Sequence, residues 1–294
     1  MYFVGIDAGG TKTDFLLCDE NENQIKRVTL GGGNPNDIGI DACIALLSSG
    51  LDELCGDIVP DGVFAGVSGG GYGENEKKIN EFLKLRFPNS RVGNGTDILN
   101  IINCSKSSGN VGALICGTGN VFFLRIGGEL IRFGGWGYLF DNGGSGYDIG
   151  RDALRFMLEC EEKSTNLSSI LYTLLRKRLG SSALDSLSSI YSKGSQIKSY
   201  IASFSPIVFD AYEQGDSFAI SIINRNISAV VSILQSALSH VGSESIDEII
   251  CAGGLFNSSV FYSLLSKELD IPLTQLSVLP ALGACRLAME FCRE

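Results

Sequence analysis

Two short runs of glycine and threonine follow apolar segments of the chain, at points where a strand would end. The first turn is Gly9-Gly10-Thr11, after the apolar residues 2–6, and the second turn is Gly117-Thr118-Gly119, after residues 111–116. Glycine lets backbone N–H groups approach an oxyanion closely, and threonine adds a hydroxyl donor. One such run is an ordinary hairpin turn, but two in equivalent places can grip one polyphosphate from both sides. The two turns together therefore predict phosphate binding.

Other phosphate-binding and catalytic motifs are absent from the sequence. Neither GxxxxGK[ST] nor GxGxxG occurs, so the P-loop and the Rossmann fold lack their signatures. His240 is the single histidine, which excludes an HExxH zinc site and leaves any Ser-His-Asp or Cys-His nucleophile dependent on a residue expected at a helix end. The nine cysteines form no CxxC pair, which favours buried thiols in a reducing compartment.

Composition excludes several classes of partner. Lys and Arg number 23 against 33 Asp and Glu, so the 294-residue chain has a net charge of −10. A surface this acidic repels nucleic-acid backbones and anionic membranes. No apolar run approaches about 18 residues, and the N-terminus lacks the basic and apolar segments of a signal peptide. We therefore expect a cytoplasmic protein that binds neither nucleic acid nor a membrane.

The elements that position the two turns occur in the same order twice, roughly 110 residues apart. Apolar patterns predict a strand, a glycine-threonine turn, a strand, a hairpin and a third strand in each case. The strands are expected at 2–6, 13–18 and 24–30, and again at 111–116, 121–125 and 129–133. A solenoid would repeat every 20–50 residues or so. We interpret the pattern as the duplication of a whole domain.

Strands and helices alternate along the rest of the chain, which predicts an α/β fold with helices covering the sheets. Asp216 is the expected N-cap of a long helix that ends at His240. The other expected elements are helices to about residue 49, at 74–87 and to about 104, strands at 62–67 and 90–93, a mostly helical stretch over 147–240, a strand at 246–251, a helix at 258–269, a short strand at 277–279 and a helix at 281–292.

Five motifs, taken in order, resemble the actin/Hsp70/sugar-kinase superfamily over nearly the whole chain. Residues 4–13 (VGIDAGGTKT) resemble its first phosphate motif, 115–120 (ICGTGN) its second, and 250–254 (ICAGG) its adenosine motif. Residues 134–137 (GGWG) and 144–147 (GSGY) are similar to its N-acetylglucosamine kinase branch, which belongs with the BadF/BadG/BcrA/BcrD ATPase-like group. Each motif alone is weak evidence, but the ordered set is specific.

The resemblance implies two ribonuclease-H-like (actin-like ATPase) domains that flank a cleft for ATP and sugar. The N-terminal domain would take residues 1–106 and recover the C-terminal helix at 281–294. The larger C-terminal domain would span 107–280 with a helical insertion. Closure of such a cleft expels water, so that ATP is not hydrolysed without sugar.

The resemblance also implies roles for residues on the ATP side. Asp97, in Gly95-Thr96-Asp97, matches the family's catalytic base, which accepts the proton of the sugar 6-hydroxyl as that oxygen attacks the γ-phosphate. Asp97 also reads as the N-cap of the following helix, a purely structural role. Asp7 would hold Mg²⁺ through water. The expected ATP-binding residues are Gly9, Gly10, Thr11, Lys12, Thr118 and Gly119 at the phosphates and Gly253, Gly254 and Asn257 at the adenosine.

Residues expected around the sugar follow from the same resemblance, with one departure. They are Asn34, Asp97, Asn120, Gly135, Trp136, Gly137, Asp141 and Asn142. A core aromatic is the alternative interpretation of Trp136. The family usually has Gly-Asp-Glu-Gly-Ser after the tryptophan motif, and its sugar-binding aspartate falls on Asn142 here, with Asp141 one residue early. Either Asp141 is re-aimed, or an amide faces the ring and repels less a sugar that carries a carboxylate, such as N-acetylmuramate.

The implied activity is transfer of phosphate from ATP, with Mg²⁺, to the 6-hydroxyl of N-acetylglucosamine or N-acetylmuramate. Kinases of glucosamine or glucose are alternatives, because a few contacts decide which sugar binds. An ATPase that activates a dehydratase through an iron–sulfur cluster shared between subunits is a different class. It would need exposed cysteines, of which Cys104 and Cys116 are the nearest pair, without cluster-like spacing. A sugar sensor without catalysis is a third. Many relatives form homodimers, and this chain could do the same. No surface patch recognisable in the sequence supports a homodimer independently.

Overall fold

Contacts within the chain divide it into two units in the computed structural model. Unit 1 comprises Met1–Ser108 and Leu276–Glu294, and unit 2 comprises Gly109–Gln275. The structure describes residues 1–107, 109–141, 143–180, 183–241 and 245–293. The last segment of the chain thus returns to the first unit.

Each unit contains a mixed five-stranded sheet. In unit 1 the order is β3-β2-β1-β4-β5, with β1 antiparallel to β2 and parallel to β4; in unit 2 it is β8-β7-β6-β9-β10, with β6 antiparallel to β7 and parallel to β9. The strands are β1 Tyr2–Ala8, β2 Lys12–Asp19, β3 Gln24–Gly31, β4 Gly62–Val67, β5 Arg91–Gly95, β6 Val111–Cys116, β7 Asn120–Ile126, β8 Glu129–Phe133, β9 Glu248–Ala252 and β10 Leu273–Gln275. The two sheets have the same topology, as the repeated sequence pattern predicts, and the two turns occupy equivalent places.

Helices follow the strands along the chain, which makes the fold α/β as predicted. They are α1 Pro35–Ile38, α2 Ile40–Cys55, α3 Gly73–Arg86, α4 Ile98–Ile102, α5 Gly146–Lys163, α6 Ile170–Leu179, α7 Ala183–Tyr191, α8 Ile197–Ala202, α9 Ser205–Glu213, α10 Ser217–Val241, α11 Ser259–Lys267 and α12 Pro280–Phe291. Short 3₁₀ helices span Gly194–Gln196 and Gly254–Asn257.

Two of the predicted elements are wrong in place or length. The last strand is β10, Leu273–Gln275, which pairs with β9, rather than residues 277–279. The segment 276–279 instead leads into α12, whose N-cap is Leu279 and whose first residue is a proline. Helix α2 runs to Cys55 rather than ending near residue 49. Gly50 lies inside the helix without ending it. A side chain at this position would overlap the ring of Phe15, so the glycine allows close packing.

Helix α10 of unit 2 is long and apolar enough, by length and composition, to cross a membrane. It is the only such helix in the part of the chain that the structure describes, and 44% of its most apolar window is buried inside the protein. Its buried residues recur at helical spacing and belong to the core of unit 2, and Asn226 is buried among them. Asp216 caps it as predicted, accepting hydrogen bonds from the backbone N–H groups of Phe218 and Ala219 at 2.9 and 3.0 Å. These features are typical of a core helix.

The sheet of unit 1 is packed on both faces. Val4, Ile6 and Ala8 of β1 contribute to a core with α2 and α3, whereas Phe3 contributes to a second core with α12. Gly5 lies on the α12 side, where a Cβ would overlap the carbonyl oxygen of Ala281 and lie 2.5 Å from the backbone nitrogen of Cys285. Helix α12 therefore approaches the strand as closely as its backbone allows.

We predict that Gly5→Ala lowers the free energy of unfolding by about 3 kcal/mol, the upper end of the usual overpacking cost, because the obstructing atoms are backbone. Gly31→Ala is the matched control: it is also a strand glycine of unit 1, but a Cβ there meets nothing within 4 Å. Urea denaturation of both variants measures the difference. Equal stability of the two would show that α12 does not pack on β1 in this way.

Candidate active site

The first turn lies at the surface of unit 1, at the carboxyl end of β1. Gly9 donates its backbone N–H to the carbonyl of Lys12, and Gly33 donates to the carbonyl of Gly9, both at 2.9 Å. Gly32 lies so close to Gly10 that a side chain at Gly32 would overlap the Gly10 carbonyl. Thr11 is exposed beside them. The glycines at 31–33 thus pack against the first turn, while Thr11 remains exposed.

Lys12 is bound to a carboxylate of its own strand. Its ammonium lies 2.7 Å from Oδ2 of the buried Asp14, whose Oδ1 accepts hydrogen bonds from Arg27 and Thr29 at 2.6 Å each. Although burial opposes ionisation, these donors hold the pKa of Asp14 below its usual value. Lys12 therefore shares one buried carboxylate with Arg27, which holds its ammonium against unit 1.

Asp7 is a largely buried carboxylate at the end of β1. Its pKa is raised to about 6, chiefly by burial; a hydrogen bond from the Asn100 amide lowers this pKa, and the negative charge of Asp97 raises it. Asn100 Nδ2 lies 2.8 Å from Oδ1 of Asp7 and 3.1 Å from the carbonyl of Ile6. Gly66 makes room for it, because a Cβ there would overlap the amide. Oδ1 of Asn100 is buried and has no hydrogen-bond partner within the described part of the chain.

Asp97 lies just beyond the end of β5. Since β1, β4 and β5 run parallel, with Asp7 opposite Gly66 and Gly66 opposite Gly95, Asp7 and Asp97 lie at the same edge of the sheet, where α/β proteins commonly bind ligands. Burial raises the pKa of Asp97, while hydroxyl donors from Thr96 and Ser68 lower it. Thr96 Oγ1 is 3.1 Å from Oδ1 of Asp97.

The purely structural interpretation of Asp97 does not account for its side chain. The residue occupies the N-cap position of α4, but its carboxylate makes no capping hydrogen bond, and its backbone has helical angles instead of the extended ones usual for a cap. The carboxylate instead accepts hydrogen bonds from Thr96 and Ser68, with smaller contributions from the backbone at residues 97 and 98.

Asn34 belongs to the same region of unit 1. It caps α1, its Oδ1 accepting from the backbone N–H of Asn36 at 2.9 Å. A Cβ on Gly69, whose φ of +70° also favours glycine, would lie 2.5 Å from that same oxygen. Gly69 directly follows Ser68, whose side chain forms a hydrogen bond with Asp97. The structure thus brings Asn34 close to the loop that holds Asp97.

In unit 2 the second turn lies against the predicted adenosine residues. Gly117 donates to the carbonyl of Gly119 at 2.8 Å and accepts from Gly146 at 2.7 Å. Gly253 has a φ of +100°, and a Cβ there would overlap the carbonyl of Cys116. A Cβ on Gly117 would be 3.8 Å from the backbone nitrogen of Gly254. Cys116 and Gly117, at the start of the second turn, therefore adjoin Gly253 and Gly254, and Asn257 ends the short helix that follows.

The loop of residues 134–141 carries the predicted sugar residues of unit 2. Trp136 is 66% exposed, so its interpretation as a core aromatic is wrong; Arg132 lies over its ring, 5.0 Å from the centroid. Gly135 and Gly137 have φ of +72° and +95°, which favour glycine. Asp141 accepts hydrogen bonds from the backbone N–H groups of Trp136 and Gly137 at 3.0 and 2.9 Å. Asp141 therefore fastens the loop, whereas Asn142 lies outside the described residues.

Asn120 supports the continuation of this loop. It is buried, and its Nδ2 donates to the carbonyl of Gly143 at 2.7 Å, while its Oδ1 has no partner among the residues that the structure describes. Gly144 donates to Oδ1 of Asn226 of α10 at 2.8 Å. A buried acceptor without a partner is costly in an empty site, and a ligand hydroxyl could satisfy it.

A cavity of about 600 Å³ opens beside the tryptophan loop in unit 2. Trp136, Asp141 and Gly143 line it together with two arginines, Arg132 and Arg225. Arg132 donates to the carbonyls of Gly134 and Gly135. Arg225 forms an ion pair with Asp152 at 2.7 Å, but its side chain is well exposed. The cavity combines an aromatic face with positive charge.

Several of these residues were not predicted from the sequence. Asn100 had a signal, an amide within the apolar run of 98–102. Ser68, Arg132 and Arg225 had none, because their places depend on segments distant in sequence. The cysteines named for an iron–sulfur cluster are unsuited to it: Cys116 is fully buried with a strongly raised pKa, and burial raises the pKa of Cys104 to about 11.

Comparisons with known proteins match nearly the whole chain to one family and to sugar kinases. The sequence model of the BadF/BadG/BcrA/BcrD ATPase family matches residues 4–288. The chain is 27% identical to the N-acetyl-D-glucosamine kinase of Dictyostelium discoideum, covering 98% of this chain and 97% of that protein. It is 25% identical to the N-acetylmuramic acid/N-acetylglucosamine kinase of Clostridium acetobutylicum, over 99% of each chain. The fold resembles that of a provisionally assigned N-acetylglucosamine kinase from Chromobacterium violaceum, with a TM-score of 0.73, 18% identity and 98% of each chain covered.

The raised pKa of Asp7 predicts a stability cost in the ligand-free protein. Folding takes up a proton between the ordinary pKa of 3.8 and the folded value of about 6, so stability falls as pH rises through that range and stays lower above it. We predict that Asp7→Asn has a higher melting temperature than the unsubstituted protein at pH 7.5. The difference should shrink as pH falls from 6 towards 4.

Asp19→Asn is the matched control, because Asp19 is an exposed carboxylate whose pKa is lowered by hydrogen bonds from Asn23. It should give no stabilisation at pH 7.5. A melting temperature of Asp7→Asn that is unchanged or lower at every pH would contradict burial of an ionised Asp7.

Proposed function

The chain belongs to the BadF/BadG/BcrA/BcrD ATPase family, and on that premise we propose that it is a kinase that transfers the γ-phosphate of ATP to the 6-hydroxyl of an N-acetylated amino sugar. The observation that carries the proposal is the Asp97 carboxylate, largely buried, oriented by two hydroxyls and not used to cap its helix. The names of the two curated relatives support the sugar.

Asp97 is the general base in this proposal. Its carboxylate accepts the proton of the sugar 6-hydroxyl while that oxygen bonds to the γ-phosphorus and the bond to the β-phosphate oxygen breaks, which releases ADP. Donors from Thr96 and Ser68 fix the direction of the carboxylate. Burial raises its pKa, which makes it a stronger base than an exposed aspartate.

The ATP site in this proposal uses both glycine-threonine turns. Gly9, Gly10 and Thr11 offer the open edge of the first turn, Thr118 and Gly119 offer the second, and Gly253, Gly254 and Asn257 bind the adenosine. Lys12 contributes through the backbone of its turn, because its ammonium is bound to Asp14.

The acidic edge of unit 1 suits a hydrated Mg²⁺. Asp7 and Asp97 repel one another, and the unpartnered Oδ1 of Asn100 lies in the same cluster, so the available ligands are oxygens, as a hard cation prefers. Asp7 would hold the ion through water, and the ion would shield the charge of the phosphates. Asn100 positions Asp7 by its 2.8 Å hydrogen bond.

The sugar site in this proposal combines side chains with a fastened loop. In unit 1 the residues proposed to bind the sugar are Asn34 and Asp97. In unit 2 they are Asn120, Gly135, Trp136 and Gly137. Asp141 holds the loop by bonding the N–H groups of Trp136 and Gly137. Asn142 then takes the position of the family's sugar-binding aspartate.

A second candidate substrate is the acidic sugar N-acetylmuramate. The cavity beside Trp136 contains the guanidinium groups of Arg132 and Arg225, either of which can bind a carboxylate. An amide at residue 142 removes a negative charge that would repel such a sugar. The name of the Clostridium acetobutylicum relative includes this sugar.

The first test of the proposal is ADP release from ATP and Mg²⁺ with N-acetylglucosamine, N-acetylmuramate, glucosamine, glucose or no sugar. We predict sugar-dependent ADP, with the N-acetylated sugars best, and a loss of about 10²–10⁴-fold in kcat for Asp97→Asn. Asp57→Asn, which replaces an exposed carboxylate of unit 1, should retain full activity. ADP released equally without sugar would indicate an ATPase. Full activity of Asp97→Asn would show that Asp97 is not the general base.

The second test addresses the acidic sugar. Arg225→Gln and Asn142→Asp should each lower the ratio of kcat/KM for N-acetylmuramate to that for N-acetylglucosamine by about tenfold, the effect of one charge-assisted contact. Arg155→Gln is the control, since Arg155 lines a neighbouring cavity with Asp152 but not this one. An unchanged ratio in both variants would exclude carboxylate recognition at this cavity.

A further inference from the structure

A lysine from a distant helix reaches the second turn. Lys198 lies on α8, and a Cβ built on Gly119 would be 3.6 Å from its Nζ. Helix α8 is held firmly there: a side chain on Gly150 of α5 would overlap the carbonyl of Ile201, so the two helices are in backbone contact. Helix α5 in turn is tied to the turn, because Gly146 donates to the carbonyl of Gly117 at 2.7 Å. The ammonium therefore has a defined place beside the turn.

Lys198 differs from Lys12 in the groups that surround its ammonium. Across residues 109–141, 143–180, 183–241 and 245–275, which the structure describes in unit 2, no carboxylate oxygen lies within 4.0 Å of its ammonium. The ammonium lies instead on the ring of Tyr138, 5.9 Å from the centroid. Tyr138 packs edge-on against Tyr147, whose backbone N–H donates to the carbonyl of Thr118. The aromatic pair holds the cation at the turn without neutralising it.

The two turns differ in this respect. Lys12 directly follows the first turn, and its ammonium is bound to Asp14 within a network that includes Arg27 and Thr29. The second turn, residues 117–119, has no cation in its sequence. The chain has a net charge of −10, which opposes the approach of a polyphosphate. A single unpaired ammonium at the second turn would offset this repulsion where backbone donors are already available.

We propose that Lys198 binds the phosphate groups of ATP at the second turn, forming an ion pair with them beside the backbone of Gly119. The inference rests on the proposed function in that it takes the second turn as a phosphate site. It adds a residue that supplies charge, in contrast to the uncharged donors of the turn itself. A lysine ammonium is a compact charge with three donors, suited to phosphate oxygens that shift during transfer.

Calorimetric titration with ATP, ADP and adenosine tests this role in Lys198→Ala, Lys198→Arg and Lys193→Ala. Lys193 is the matched control, since it precedes the same helix and its ammonium also lies over a tyrosine ring, that of Tyr200, at 4.7 Å. We predict that Lys198→Ala weakens ATP and ADP by about 10- to 100-fold, the effect of a lost charge-assisted contact, and leaves adenosine within about twofold. Lys198→Arg should restore most of the affinity, and Lys193→Ala should bind all three normally.

The outcomes separate this inference from the proposed function. If the unsubstituted protein shows sugar-dependent turnover but Lys198→Ala binds ATP normally, Lys198 has no role at the phosphates and the kinase proposal stands. If Lys198→Ala weakens adenosine as much as ATP, the residue is structural and the inference is wrong. If the unsubstituted protein binds none of the nucleotides, both proposals are wrong.

Discussion

Two carboxylates, Asp7 and Asp97, are held at one edge of the unit 1 sheet and largely removed from water. Burial, with repulsion from Asp97, raises the pKa of Asp7 to about 6, and burial raises the pKa of Asp97. A fold keeps such an arrangement only where the surrounding structure is rigid enough to impose it. Three features do so here: the parallel strands β1, β4 and β5, the absence of a side chain at Gly66, and the buried amide of Asn100.

The same constraint explains why glycine recurs at close contacts of backbone. Helix α12 can lie on β1 because residue 5 has no side chain, and this contact ties the C-terminal helix to the strand that ends in Asp7. In unit 2, Gly253 passes against the carbonyl of Cys116 in a backbone conformation that other residues rarely adopt. The two units share one sheet topology, yet they place charge at their turns differently: one lysine is bound to a carboxylate of its own strand, and the other comes from a helix far along the chain.

Much of the fold could be predicted because its signals are local. Apolar runs ending in glycine-threonine turns marked β1 and β6, and Asp216 marked the start of α10. The strand β10 was misplaced because it is three residues long, partly exposed and recognisable only by its pairing with β9. The role proposed for Asp97 could be inferred from its motif, whereas the place of Lys198 beside the second turn could not be predicted, since Lys198 lies 79 positions after Gly119. The exposure of Trp136 also depends on tertiary structure, because a tryptophan between glycines suits a core and a surface loop equally.

The measurement that tests the account most directly is phosphorus NMR of the reaction mixture with ATP, Mg²⁺ and N-acetylglucosamine. The account predicts one phosphomonoester for each ADP formed, its phosphorus coupled to the two protons on carbon 6 of the sugar, and negligible inorganic phosphate when sugar is omitted. Inorganic phosphate formed at the same rate with and without sugar, or a phosphate on another oxygen, would contradict it.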